Sequence, residues 1–137
     1  MKKRRSFLQR TALAILGLGA MSFKSSQKSN ILEGPFVHIV FFWLKEPENE
    51  ASRKKFVKEA KAYTENISAI TKKHIGTPAA TDRDVVDNTY TFSMVLTFDS
   101  KKDYDIYADH PLHLEFIERA SELWERVQVY DSTLLKS

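Results

Sequence analysis

Cysteine is missing from all 137 residues. Disulfide frameworks, Cys-held zinc, iron–sulfur clusters and thiol nucleophiles are thereby excluded together. Gly-rich phosphate loops, a dinucleotide fingerprint and a Ser-His-Asp order are also lacking, so oxidoreductase chemistry with a bound nucleotide has no support. Acid is absent from the front of the chain, where the first carboxylate is Glu33. Residues 1–22 hold five of the 21 Lys and Arg, which leaves 16 bases against 18 acids and a net charge of −2 for the rest. That balance offers nucleic acid no electrostatic footprint. What is present can fold: 42% hydrophobic, 12% aromatic and 28% charged residues describe one globular domain.

The front of the chain has the order of an export signal, with the charges Lys2 to Arg5, an apolar run from Ala12 to Ala20, and then a polar stretch. The apolar run is about half of the ~20 residues that a membrane-spanning helix needs, and Gly17 and Gly19 weaken it as a helix. Membrane contact is therefore expected only during export. Arg4-Arg5-Ser6-Phe7-Leu8 resembles the twin-arginine motif, with Lys3 and Gln9 departing from its usual flanks. The alternative is a general secretory signal with a chance Arg pair. Cleavage is expected after Ser22, and no Cys follows to open a lipoprotein route. Residues 23–34 read as a flexible tether, and a bacterial envelope or periplasmic location follows as an expectation.

The body of the chain alternates strand and helix. Phe36 to Leu44 is apolar at nearly every position and reads as a strand buried on both faces. Glu46 to Asn49 stops it and opens a helix over about Glu50–Ile70, with Phe56, Ala60, Tyr63, Ile67 and Ile70 on one side. Lys73–Ala80, containing Gly76 and Pro78, reads as an edge strand, and Asp82–Asn88 as a turn. Thr89–Phe98 alternates as a strand, with Tyr90, Phe92, Met94, Leu96 and Phe98 on one face. Ser100 to Asp103 caps a short helix through about Ala108. Pro111 starts another, with Leu112, Phe116, Ile117, Ala120 and Leu123 inward, before a last strand over Glu125–Asp131. This is the split βαβ order of a ferredoxin-like α+β domain with a four-stranded antiparallel sheet, spanning residues 35–132.

In such a domain the helices cover one sheet face. The first strand nevertheless carries Val37, Ile39, Phe41 and Trp43 on the face opposite Phe36, His38, Val40 and Phe42. Left bare, that row exceeds what a soluble monomer usually exposes. A second copy packed sheet to sheet is the expected cover, giving an isologous homodimer. The tether or Leu134-Leu135 folding over the same face is the alternative.

Four histidines, His38, His74, His110 and His113, hold most of the chemical interest. Tyr104 to His113 packs two Tyr, two His and two acids around Pro111 and stands out among the segments. A neutral imidazole can remove a proton next to a carbonyl, and a phenol can donate to the resulting oxyanion. His113 also falls in a first helical turn, where free N–H groups favour anions. His110 and His113 with Asp109 and His38 form a loose metal-ligand candidate that Pro111 constrains; no metal and no cofactor is expected. The plainer readings remain alongside: a buried, hydrogen-bonded His113, a turn-capping His110, a core His38, a solvated His74 and a core role for one of Tyr104 and Tyr107. Trp43, Trp124, Phe92 and Phe116 read as core or pocket wall.

His38-Ile39-Val40-Phe41-Phe42, Leu96-Thr97-Phe98-Asp99-Ser100, Tyr107-x-x-His110-Pro111-x-His113 and Val127-x-Val129-Tyr130-Asp131 together resemble the stress-responsive dimeric α/β-barrel (Dabb) family over about residues 35–132. The resemblance implies a ferredoxin-like protomer, dimerised through its sheet into a barrel, with a pocket between sheet and helices. It further implies that Tyr107, His113 and His38 match residues that plant polyketide cyclases of the family use, while another strand His of those enzymes falls at Phe92 here. The expected site therefore has His113, Tyr107 and His38 as its chemical groups and His110, Phe92 and Tyr104 as ligand contacts. A small hydrophobic or aromatic ligand is expected. A cyclase, lyase or isomerase on the same pocket, and a non-catalytic assembly protein, are the competing readings.

Overall fold

The structure, a computed structural model, describes residues 35–135, so the expected signal and tether lie outside the described residues. The elements run β1 (Phe36–Leu44), α1 (Glu50–Thr64), β2 (Lys72–Gly76), β3 (Phe92–Phe98), α2 (Lys101–Ala108), α3 (Pro111–Ala120), a 3-10 turn at Ser121–Leu123, and β4 (Trp124–Thr133). The strands form one antiparallel sheet in the order β2-β3-β1-β4. This is the ferredoxin-like α+β fold.

Strict alternation in β1 sets the layers. Phe36, His38, Val40, Phe42 and Leu44 are buried, and the residues between them are half-buried. Cross-strand register places Phe36, His38, Val40 and Phe42 opposite Phe98, Leu96, Met94 and Phe92 of β3. The helices close that face: α1 brings Phe56, Ala60 and Tyr63, and α3 brings Phe116 and Ala120. Phe56 stacks on Phe92 with ring centroids 4.6 Å apart. The core thus lies between one sheet face and the helix layer.

Several boundaries differ from the sequence expectation for identifiable reasons. Asn49 caps α1 by accepting the Ser52 N–H at 3.0 Å, so Pro47 precedes the helix and is not in its first turn. At the other end α1 stops at Thr64, not Ile70. The Asn66 N–H bonds to Tyr63 O in a tightened turn while its side-chain amide takes Ala62 O at 2.7 Å. Ile67 and Ile70 keep helical spacing but belong to the turns that follow. The edge strand is Lys72–Gly76, ending before Pro78.

Regular β3 begins only at Phe92. Tyr90 consequently leaves the alternation and lies on the opposite face, edge-on to Phe41 at 4.8 Å. Ile117, expected inward, is 41% exposed.

The face away from the helices carries Val37, Ile39, Phe41 and Trp43 half-buried. Its cover at one end is local: Trp43 Nε1 donates to Thr89 Oγ1 at 2.9 Å, and the Arg126 guanidinium lies 4.1 Å from the Trp43 ring. Leu134 and Leu135 do not fold over it, being 73% and 92% exposed.

Candidate functional site

A cavity of about 400 Å3 opens between β1, β4 and the three helices. It exists because the helix layer covers β3 and β1 but falls short of the edge strand β4. Val127 and Val129 point to the helix side in register with Phe42 and Val40, yet remain 45% and 42% exposed. One end of the cavity is polar, with His38, Tyr63, Tyr104, Tyr107 and His113. The other is apolar, with Phe42, Phe116, Ile117, Trp124, Val127 and Val129. Such a wall, mostly apolar with a few convergent polar groups, is typical of small-molecule sites.

The inward register of β1 delivers His38 to the cavity. Its Nδ1 meets Asp131 Oδ1 at 2.6 Å, and Asp131 is its direct cross-strand partner on β4. A carboxylate accepts, so Nδ1 carries the proton and Nε2 is the nitrogen left facing away from Asp131. Tyr104 borders the same pair. It stacks on Phe36 at 4.6 Å, and burial together with the Asp131 charge raises its pKa.

Tyr107 and His113 are brought together by the break between α2 and α3. The Ser100 hydroxyl caps α2 by accepting the Asp103 N–H, and the helix turns Tyr107 inward until it is 1% exposed. His110 then caps α3, its Nδ1 accepting the Leu112 N–H at 3.2 Å. One turn on, the His113 ring lies 4.5 Å from that of Tyr107. His113 Nδ1 donates to Ala108 O at 2.9 Å, which leaves Nε2 as an acceptor. Burial lowers the pKa of His113, and the positive charges that His38 and His110 would carry lower it further. Burial raises that of Tyr107 well above the phenol range, so its hydroxyl stays a donor.

The structure brings His38, Tyr107, His113 and Tyr104 to one cavity. His110 is instead the α3 cap, outside the cavity wall, and its acceptor role occupies an N–H that had been expected to favour anions. Phe92 is also not a wall residue: it stacks in the core on Phe56, with the Arg53 guanidinium 4.9 Å over its ring. His74 is exposed on β2. Among the described residues no three His, Asp or Glu side chains are grouped to hold a metal ion. The sequence reading missed Asp131 and Tyr63 as site residues. Asp131 was detectable as an acid in the inward register of Val127 and Val129; Tyr63 reads as one more core residue of α1.

Comparison with known proteins gives a consistent picture. Residues 36–134 match the model of the Stress responsive A/B Barrel Domain, Dabb. No curated protein matches the chain in sequence. A Dabb family protein with a ferredoxin-like fold from Mesorhizobium loti is similar at 25% identity and a TM-score of 0.62, over 74% of this chain and 97% of that one. A dimeric ferredoxin-like protein from Thermobifida fusca aligns with a TM-score of 0.60 at 16% identity, over 75% of this chain and 94% of the other. The hydroxynitrile lyase of Passiflora edulis shares the fold at 21% identity and a TM-score of 0.61, over 74% of this chain and 94% of its own. With the family's sequence pattern running from the first strand through the last, the chain belongs to the stress responsive A/B barrel domain (Dabb) family.

Proposed function

We propose that this Dabb protein binds a small hydrophobic or aromatic molecule in the cavity framed by His38, Tyr107 and His113. The observation that carries the reading is the cavity itself. An open space of about 400 Å3 reaching all three side chains is what a binding protein needs, and a purely structural barrel would fill it. The protein acts as a homodimer. The half-buried apolar row on the outer sheet face and the dimeric state of the Thermobifida fusca relative support this. It is exported to the bacterial envelope by the twin-arginine route, on the strength of Arg4-Arg5-Ser6-Phe7-Leu8. Undiminished export of an Arg4→Lys, Arg5→Lys variant would overturn that part.

A second reading, acid–base catalysis in the same cavity, is favoured by the His38–Asp131 pair at 2.6 Å. A carboxylate behind an imidazole fixes its tautomer and supports it as a base. His113, held neutral by burial, offers a second acceptor for a proton. The relative from Passiflora edulis, a lyase, supports catalysis on this fold only at the level of architecture.

A native mass-spectrometry screen of aromatic and keto compounds against wild type and His113→Ala tests the binding reading. The expected result is a set of ligands held by wild type and weakened in the variant. Equal retention of every compound would remove His113 from the site. Turnover of any ligand that stops in Asp131→Asn would favour the catalytic reading.

A further inference from the structure

A second cavity lies on the other side of the sheet. It is a cup of about 260 Å3 at the Trp43 end of the outer face, smaller than the range of about 300–1,000 Å3 that drug-sized ligands fill. Cross-strand register builds it: Phe41 and Trp43 of β1 stand opposite Gln128 and Arg126 of β4, with Tyr130 next in the row. The chain before β3 adds Tyr90 and Asp87. Tyr90 and Tyr130 meet the Phe41 ring at 63° and 76°, so the rings stand as the sides of a box and do not stack.

Two opposite charges border this box, each held in place by something other than its counterpart. The Arg126 guanidinium rests on the Trp43 ring at 4.1 Å and, among the described residues, pairs with no carboxylate. A cation seated on a ring face keeps its N–H donors for an anion. Trp43 is itself pinned, its Nε1 donating to Thr89 Oγ1 at 2.9 Å. That hydroxyl donates in turn to Asp87 Oδ1 at 2.6 Å, and the Thr89 N–H bonds to the same oxygen at 2.8 Å. The Thr89 bonds hold the Asp87 carboxyl below its usual range, and the Arg126 charge adds to this. Asp87 therefore stays ionised, with Oδ2 not taken by Thr89.

A ligand with one charge would satisfy one of these groups and meet the other as a like charge. A zwitterion matches both. The aromatic sides then select the kind of cation. A primary ammonium brings three N–H donors that ring faces cannot fully satisfy. A quaternary ammonium has none, and the rings both attract its charge and cover its methyl groups.

From this geometry we infer that the cup is a second binding site, for a small zwitterion that carries a quaternary ammonium and a carboxylate. The ammonium lies among Phe41, Tyr90 and Tyr130 beside Asp87, and Arg126 holds the carboxylate. This site is separate from the cavity of His38 and does not depend on what that cavity takes. It occupies the end of the outer row, so a second copy packed on the middle of the row, at Ile39, meets its rim.

Calorimetry on the full chain tests it with glycine betaine, its carbon isostere tert-butylacetate, and glycine. The isostere keeps the shape and the carboxylate but has no cation. Betaine is expected to bind about tenfold or more tightly than either. Arg126→Gln and Tyr130→Leu, both at exposed positions, each weaken betaine by about tenfold. The methyl protons of bound betaine shift upfield, because they lie over ring faces, and shift less in Tyr130→Leu. Tert-butylacetate binding as tightly as betaine overturns the cation argument, and glycine doing so overturns the role of the rings. Absence of betaine binding, or binding untouched by both substitutions, overturns the site. So does binding confined to an Ile39→Glu variant, which would show the cup filled by a second copy.

Discussion

His113 gains its chemistry from where its ring is packed. Because burial lowers its pKa, the unfolded chain, with an imidazole pKa near the ordinary value of about 6.5, takes up the proton first on acidification. The contribution of the neutral ring to stability is thus complete above about pH 6.5 and is lost as pH falls from there through the lower folded value. Urea midpoints of wild type at pH about 7.5 and about 5.5 should therefore differ by more than those of His113→Asn. An identical pH dependence of the two proteins would contradict this. Asp131 has a different kind of effect. Asp131→Ala leaves the His38 N–H, 6% exposed, without its acceptor, and should cost about 1–2 kcal/mol in urea unfolding. Of these residues, His38, Tyr107 and His113 were singled out by the resemblance to the Dabb pattern, and the structure places all three on one cavity. Asp131 could be placed on the face of Val127 and Val129 by alternation, but its pairing with His38 depends on a cross-strand register, and the place of Tyr63 depends on which way a helix rotates. Phe92 shows the converse: read by type as core or wall and named a ligand contact where a family histidine falls, it is placed by β3 in the core.

Helix ends in this protein are set by side chains competing for backbone groups, and sequence periodicity is blind to that competition. Ile67 and Ile70 sit at helical spacing from Tyr63, but the Asn66 amide bonded to Ala62 O ends α1 before them. The opposite end of the problem, a start signal, was readable in α2, where Ser100 and Asp103 face each other as a capping pair. Ser100→Ala should lower stability by about 1 kcal/mol in a thermal or urea melt, with α2 fraying enough to loosen Tyr107 from the cavity wall. Between Gly76 and Phe92 the sequence suggested a strand tail, a turn and an early strand; the turn is there, closed by the Val86 N–H on Arg83 O at 2.9 Å, while the residues on either side of it are irregular. Asp87 holds the Thr89 N–H at 2.8 Å and so turns the chain before the alternation of β3 can begin. Tyr90 is carried to the outer face as a result.

At the scale of the molecule, fold class was recoverable from the order of strands and helices, with β1 apolar on both of its alternating faces and α1 and α3 each carrying an apolar stripe. The pairing of two copies rests on the other half of that alternation. Ile39 lies mid-row on the outer face, between Val95 and Tyr130. Ile39→Glu should shift the proposed dimer to monomer in analytical ultracentrifugation at micromolar concentration while leaving the protomer folded, because a two-fold axis would bury both new charges together. A wild-type monomer at that concentration would end the pairing argument. The two ends of the described domain also meet. Leu134 N–H bonds to Pro35 O at 2.9 Å, where antiparallel β1 and β4 begin and finish side by side. A pull applied at Pro35 and Leu134 would load this seam rung by rung, as a zip fastener opens, instead of shearing all its bonds at once. The domain should therefore be mechanically soft along its own chain, yielding first at the strand that carries Asp131 and emptying its cavity before the helices let go.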